Sequence, residues 1–379
     1  MSAVDGGAIS EVGGRLAGRT LSLIDVPSVS GDEAAVLASI AASVPASFEV
    51  LDATDGVLFV APIARRTGAP FVVLAGHVDT VPVAGNVPGT IAGTSVRGRG
   101  ASDMKGALAV MQEIAIELHA DPGPFDVGLL FFGREELPFT QSSLLPLFDR
   151  CPVASTPDLA IVMEPTDNAI EVGCLGNLNA TVIVTGRAAH SARPWLGDNA
   201  IHRAIAALTS IADLPPRDVT IDGLTYSEVM NVTTIEGGTA ANVVPGRVEA
   251  RVNYRYAPGH TPDEAEARLR ELLSISAVEV RIDGNAPPGP VSVKNPLVTR
   301  LREAGDLRLG AKQAWTPVAE FALVGVDAVN FGPGDPQYAH RDDECIEISS
   351  LVRCHEILRA FLGLGSADRR AERKRSSTT

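Results

Sequence analysis

In LAGHVDTVPV, residues 74–83, an apolar run that begins at Phe71 stops at Gly76, and His77 and Asp79 follow two positions apart. Positions i and i+2 of an extended chain share a face, so an imidazole and a carboxylate project together from the end of a buried strand. Two further apolar runs, VGLLFFG (127–133) and LAIVMEP (159–165), also read as buried strands. Between the first two lies KGALAVMQEIAIELHA (105–120), whose apolar residues fall at helical spacing. This alternation predicts an α/β domain built on a mostly parallel sheet. Upstream, SVSGDEAAVLASIAASV (28–44) predicts a helix capped by Ser30 or Asp32.

Beyond about residue 176 the pattern changes. NLNATVIVTGR is strand-like, NAIHRAIAALTSIADL helical, SEVMNVTTIEGG and GRVEARVNYRYAP strand-like, TPDEAEARLRELLSI helical and AVEVRIDG strand-like. Thr261 and Glu264 form a capping box, with Pro262 at the first helical position. The order β-α-β-β-α-β is that of a ferredoxin-like module. The expected organisation is a catalytic domain in two parts (1–176 and 288–364), an inserted lid or dimerisation domain (177–287) and a disordered basic tail (365–379). AVNFGPGD (328–335) and SSLVRCHEILRAFLGL (349–364) complete the outer sheet.

The bulk properties narrow the function. A chain of 379 residues, 45% apolar and 21% charged, is globular in composition. With 46 acidic against 32 basic residues its net charge is −14, which argues against a phosphate-backbone partner. No basic segment precedes an apolar leader and no long uncharged apolar run occurs, so a cytoplasmic protein without a membrane partner is expected. Cys151, Cys174, Cys345 and Cys354 form no Cys-x-x-Cys pair, and Gly-x-Ser-x-Gly is absent from the sequence, so neither a disulfide framework nor a serine or cysteine nucleophile is indicated.

Polar residues at strand ends carry the chemistry. His77 follows the first run, Glu135 and Glu136 follow the second, Glu164 closes the third, and Asp103 sits in the glycine-rich GRGASDMKG. They recur at intervals of about 30 residues, one β-α unit each. Open α/β sheets bind ligands beyond the carboxyl ends of their strands, so these groups should converge on one crevice. Four carboxylates repel at close range, and divalent cations resolve the conflict; an imidazole with several carboxylates suits zinc, with ligands enough for two ions. A second imidazole is expected from later in the chain. His119, His202 and His355 lie on helices and His260 beside a helix start, whereas His340 stands in the Gly/Pro-rich loop NFGPGDPQYAHRDDE.

Taken together, GHVDTVP, GRGASDMKGALA, FFGREE, MEPT, GRAAHSARPWLGDNAI, GGTAANVVPGRVEARVNYRY and NFGPGDPQYAHRDDE resemble, in order, the segments of the two-zinc aminoacylase and carboxypeptidase superfamily. The resemblance is strongest to succinyl-diaminopimelate desuccinylases and spans about residues 20 to 360. It implies that His77 and Glu164 hold one ion, Glu136 and His340 the other, and Asp103 bridges them. It further implies that Glu135 is the general base, that Asp79 orients His77, and that His190 stabilises the oxyanion in a partner subunit. By the same resemblance Asn242, Arg255 and Thr316 contact the substrate, Arg255 through a carboxylate.

The implied protein is a homodimeric amide hydrolase with two Zn²⁺ per subunit, Co²⁺ being a possible substitute. Its small-molecule substrate is N-succinyl-LL-2,6-diaminopimelate. Pro317 and Glu320 stand where desuccinylases commonly carry Asp and Arg. N-acetylornithine deacetylase, acylamino-acid hydrolase and small metallopeptidase therefore stay open, and in a different class a non-catalytic metal- or ligand-binding relative.

Overall fold

The computed structural model describes residues 9–274 and 278–365; the expected basic tail, all but its first residue Gly365, lies outside the described residues. The chain divides into two compact units. One comprises residues up to Val172, Ser292–Gly310 and the chain from Glu320; the other comprises Gly173–Val291 and Ala311–Ala319. The short segment 311–319 thus packs with the second unit, whereas the sequence reading leaves it in the outer domain.

In the first unit an eight-stranded mixed sheet runs in the order Phe48–Asp52, Val57–Pro62, Asp126–Phe132, Phe71–His77, Leu159–Val162, Ala328–Asn330, Ile170–Val172, Leu309–Ala311. The four central strands are parallel, and antiparallel pairs flank them. Phe71–His77 is buried along its whole length, because a central strand of a covered sheet meets apolar layers on both faces. Gly76 allows the helix Gly106–Ala120 to lie directly on this strand: a Cβ there would sit 2.7 Å from Leu108. The helices Glu11–Ile24, Gly106–Ala120 and Ile348–Leu362 pack against one another.

The helix predicted over 28–44 is shorter, Ala34–Ala41, and neither expected cap is used. Ser30 instead donates to the Asp79 carboxylate at 2.7 Å, drawn into the site by the sharp turn at Gly31.

The second unit carries a five-stranded antiparallel sheet in the order Arg217–Ile221, Leu224–Gly237, Arg247–Tyr256, Gly176–Thr185, Val278–Ala286. The last four strands, with the helices Ala200–Ala212 and Pro262–Leu272, form the ferredoxin-like β-α-β-β-α-β arrangement, and Arg217–Ile221 adds an edge hairpin. Leu178, Val182, Ala204, Leu208, Val252 and Leu269 belong to its core. The capping box is present: Thr261 Oγ1 accepts from Glu264 N at 3.2 Å, and the Glu264 carboxylate accepts from Thr261 N at 2.8 Å. Among the described residues no helix is long and apolar enough to cross a membrane.

Candidate metal centre

Sheet register brings the acidic strand ends together. His77 is paired with Phe132, three residues before Glu135, while Ala75 is paired with Val162, two before Glu164. Parallel strands in register end at the same edge, so their following residues emerge side by side. Asp103 reaches that edge from a kinked turn, residues 101–105, entered through Gly100 at φ +81. A Cβ at Gly100 would lie 2.8 Å from Thr80, so both its dihedral and its space call for glycine. His340 arrives from the loop that follows Ala328–Asn330.

The Asp103 carboxylate lies between two imidazoles. Its Oδ1 is 2.9 Å from His77 Nε2 and its Oδ2 is 3.3 Å from His340 Nε2. Glu164 Oε1 lies 3.9 Å from the same His77 nitrogen, and Glu136 Oε1 lies 2.8 Å from the same His340 nitrogen. Two donor sets result, His77–Asp103–Glu164 and Asp103–Glu136–His340, each with its ligand atoms within 4.8 Å of one another. One imidazole nitrogen with carboxylate oxygens is a donor set that zinc accepts, and Asp103 has one oxygen to offer each ion. The residues present therefore fit a pair of divalent ions.

The electrostatics point the same way. Burial disfavours a charged His77, but Asp103 and Asp79 outweigh it and hold the imidazole well above its usual pKa. His340 is pushed up to about 10 by its bonds to Asp103 and Glu136. Asp103 is itself held below the usual carboxylate range: burial would raise it, and the two histidines overcome that. Burial, then the neighbouring charges of Glu164 and Glu136, raises Glu135 well above its ordinary value. The carboxylates draw positive charge to any group that can carry it, and a dication supplies that charge without protons.

Asp79 meets His77 through both its backbone and its carboxylate, and it holds the neighbouring glutamates as well. His77 Nδ1 is held by the backbone carbonyl of Asp79 at 3.0 Å, while the Asp79 carboxylate stands 3.6 Å away. That carboxylate also accepts from Glu135 N and Glu136 N, both at 3.1 Å, and from Ser30 Oγ. It fixes the backbone of the adjacent glutamates, and it is fully buried (0% exposed).

In the second unit His190 and Asn242 are brought together. Ala189–His190 pairs with Val243–Val244, Ser191 N donates to Asn242 O at 2.9 Å, and both side chains are exposed. His190 Nδ1 accepts from Ala192 N at 3.1 Å, which leaves Nε2 facing outward as a donor. Arg255 lies partly buried on Arg247–Tyr256, its Nε donating to Asn253 at 3.0 Å. Thr316 is 1% exposed, and its backbone carbonyl accepts from the Cys174 thiol at 3.6 Å.

Sequence reasoning missed Ser30, Arg99 and Glu344. The sequence context of Ser30 suggests only a helix cap, with Asp32 as the alternative. Glu344 ends the acidic run DDE, which looks solvated, yet it is 2% exposed.

The site defines a class, a scaffold whose carboxylates and imidazoles could hold metal ions, and the comparisons with known proteins place the chain among metallopeptidase-type amide hydrolases. A family profile described as a peptidase dimerisation domain of the M20 type matches residues 172–281. A Mycobacterium tuberculosis (strain H37Rv) protein, provisionally named as the succinyl-diaminopimelate desuccinylase DapE, is 38% identical over 91% of this chain and 97% of its own. The succinyl-diaminopimelate desuccinylase of Corynebacterium glutamicum is 35% identical over 90% and 95%. An M20 family metallo-carboxypeptidase from Sulfolobus solfataricus shares the fold, with a TM-score of 0.73 at 19% identity over 92% of this chain and 98% of that one. The chain belongs to the M20 metallopeptidase family, in the group whose curated relatives are named succinyl-diaminopimelate desuccinylases.

Proposed function

We propose that this chain is a cytoplasmic two-zinc amide hydrolase that cleaves N-succinyl-LL-2,6-diaminopimelate to succinate and LL-2,6-diaminopimelate. The division of the Asp103 oxygens between His77 and His340 carries the proposal, because a carboxylate so placed is suited to bridge two ions. His77 and Glu164 would hold one ion, Glu136 and His340 the other. When bound, the ions supply Lewis acidity, polarising the scissile carbonyl and lowering the pKa of water toward neutrality.

The chain's own residues do the rest. Glu135 belongs to neither donor set, so its carboxylate is not committed to an ion, which suits a group that must take up and release a proton. It accepts the proton of the attacking water as oxygen adds to the carbonyl carbon, then delivers it to the departing nitrogen as the C–N bond breaks. Asp79 keeps Glu135 in place through its backbone N–H. His190 of a second copy donates to the developing oxyanion, with Asn242 beside it, in a homodimer joined through the second unit. Arg255 takes the substrate carboxylate, which a guanidinium pairs in bidentate fashion.

A second reading rests on Glu320. Glu320 is 2% exposed, so what bears on the substrate is the missing cation: without an arginine there, an acyl group lacking its own carboxylate, as in N-acetylornithine, is the alternative. Rates on the two substrates decide between them. Release of succinate from N-succinyl-diaminopimelate at much the higher kcat/KM supports the proposal, and preference for N-acetylornithine overturns it.

A further inference from the structure

Glu344 is buried beneath the centre and belongs to neither donor set. Its carboxylate accepts four N–H groups. Oε2 takes Arg99 Nη1 at 3.0 Å and Gly100 N at 2.9 Å; Oε1 takes Ser102 N and Asp103 N, both at 3.1 Å. Three of these donors are the backbone of the turn that presents Asp103. Successive N–H groups around a turn make a concave anion site, and here the anion is supplied from another part of the chain. Glu344 is delivered to it by the strand Cys345–Glu347, which pairs with Ser95–Arg97, and by Gly98 N, which donates to Glu344 O at 3.0 Å.

The partner Arg99 is 3% exposed and extends the link in two directions. Its Nη1 also donates to Arg341 O at 3.0 Å, next to His340, and its Nε donates to Pro82 O at 3.1 Å, five residues beyond His77. One buried ion pair therefore ties together the segments bearing His77, Asp103 and His340. Neither member touches a ligand atom directly.

We propose that Glu344, with Arg99, is the positioning residue of the bridging carboxylate, setting the orientation of Asp103 and so the affinity for both ions at once. The proposal rests on the two-metal reading and adds to it a residue that acts through the turn backbone. Replacing any one ligand other than Asp103 weakens one ion first; loosening Asp103 weakens both. Groups that orient metal ligands typically account for 10- to 100-fold in affinity.

The test is zinc affinity by chelator competition on purified metal-free protein, with melting temperature recorded alongside. Glu344→Ala should weaken both ions about 10- to 100-fold. Glu344→Gln, nearly isosteric, should lose as much, because its NH₂ would face two of the N–H donors. Glu344→Asp keeps the charge and should recover part of the affinity. Asp126→Asn is the control: Asp126 is also buried and also accepts a guanidinium and a backbone N–H, both from Arg66, but at the far end of its strand. It should lower the melting temperature and leave zinc affinity unchanged. Should Glu344→Ala fail to fold, Glu344→Asp and Arg99→Lys carry the same measurement. Wild-type affinity for both ions in the folded Glu344 or Arg99 variants overturns the proposal, whatever happens to stability. Absence of zinc binding by the unaltered protein overturns the two-metal reading, and this proposal with it.

Discussion

Glu135→Gln separates chemistry from assembly. The side chain is nearly isosteric, belongs to neither donor set, and its backbone N–H to Asp79 survives the change. Three carboxylates, Glu135, Glu136 and Glu164, crowd the same strand edge, and removing one charge relieves repulsion that burial intensifies. Zinc content should therefore be unchanged, and the melting temperature of the metal-free protein equal or higher. Turnover should fall about 10²- to 10⁴-fold, the usual contribution of a positioned general base, equivalent to about 3–5 kcal/mol of barrier. Because the loss is confined to the chemical step, kcat should carry it while KM stays nearly constant. Steady-state kinetics on zinc-loaded protein, with metal content measured on the same preparation, reads all of this. A variant with full kcat and two ions would refute the assignment of Glu135.

Other consequences follow from the same geometry. Zinc must displace protons from His77 and His340, whose pKa values are raised in the metal-free site, so its affinity should strengthen as pH rises through neutrality, as chelator competition over about two pH units would report. The metal-free protein should show the opposite trend. A folded His340 pKa of about 10 against an ordinary 6.5 gives stability that is fully present below about 6.5 and lost as pH rises through about 10, so its melting temperature should decline across that window. His190→Ala and Arg255→Ala proteins, each inactive alone, should regain some activity when mixed if His190 serves the partner subunit; no recovery after verified subunit exchange would place His190 in its own site. Leu74→Ala, at a fully buried position on the strand that ends in His77, should cost about 2–5 kcal/mol in denaturant unfolding.

The central parallel strands were legible because strands covered on both faces need unbroken apolar runs, and the polar residue ending each run marks the ligand edge. The helix Glu11–Ile24 left a weaker trace, since Gly13, Gly14 and Gly18 are poor helix formers and packing against neighbouring helices supplies what propensity lacks. Metal-ligand candidates were readable from residue type and interval. Asp79 was legible only as a neighbour of His77, not as the acceptor of two distant N–H groups, and Glu344 was not legible at all, because it acts through three backbone N–H groups more than 200 residues away. Nothing in a local stretch of sequence distinguishes such a buried acceptor from a solvated acid. The placement of 311–319 with the second unit is likewise a product of long-range packing.

The most direct test is a crystal of the zinc-loaded protein measured at the zinc absorption edge. The account predicts two anomalous peaks on either side of the Asp103 carboxylate, one beside His77 and Glu164, the other beside Glu136 and His340. Zinc found elsewhere, or no peak at Asp103 with zinc in excess, would contradict it.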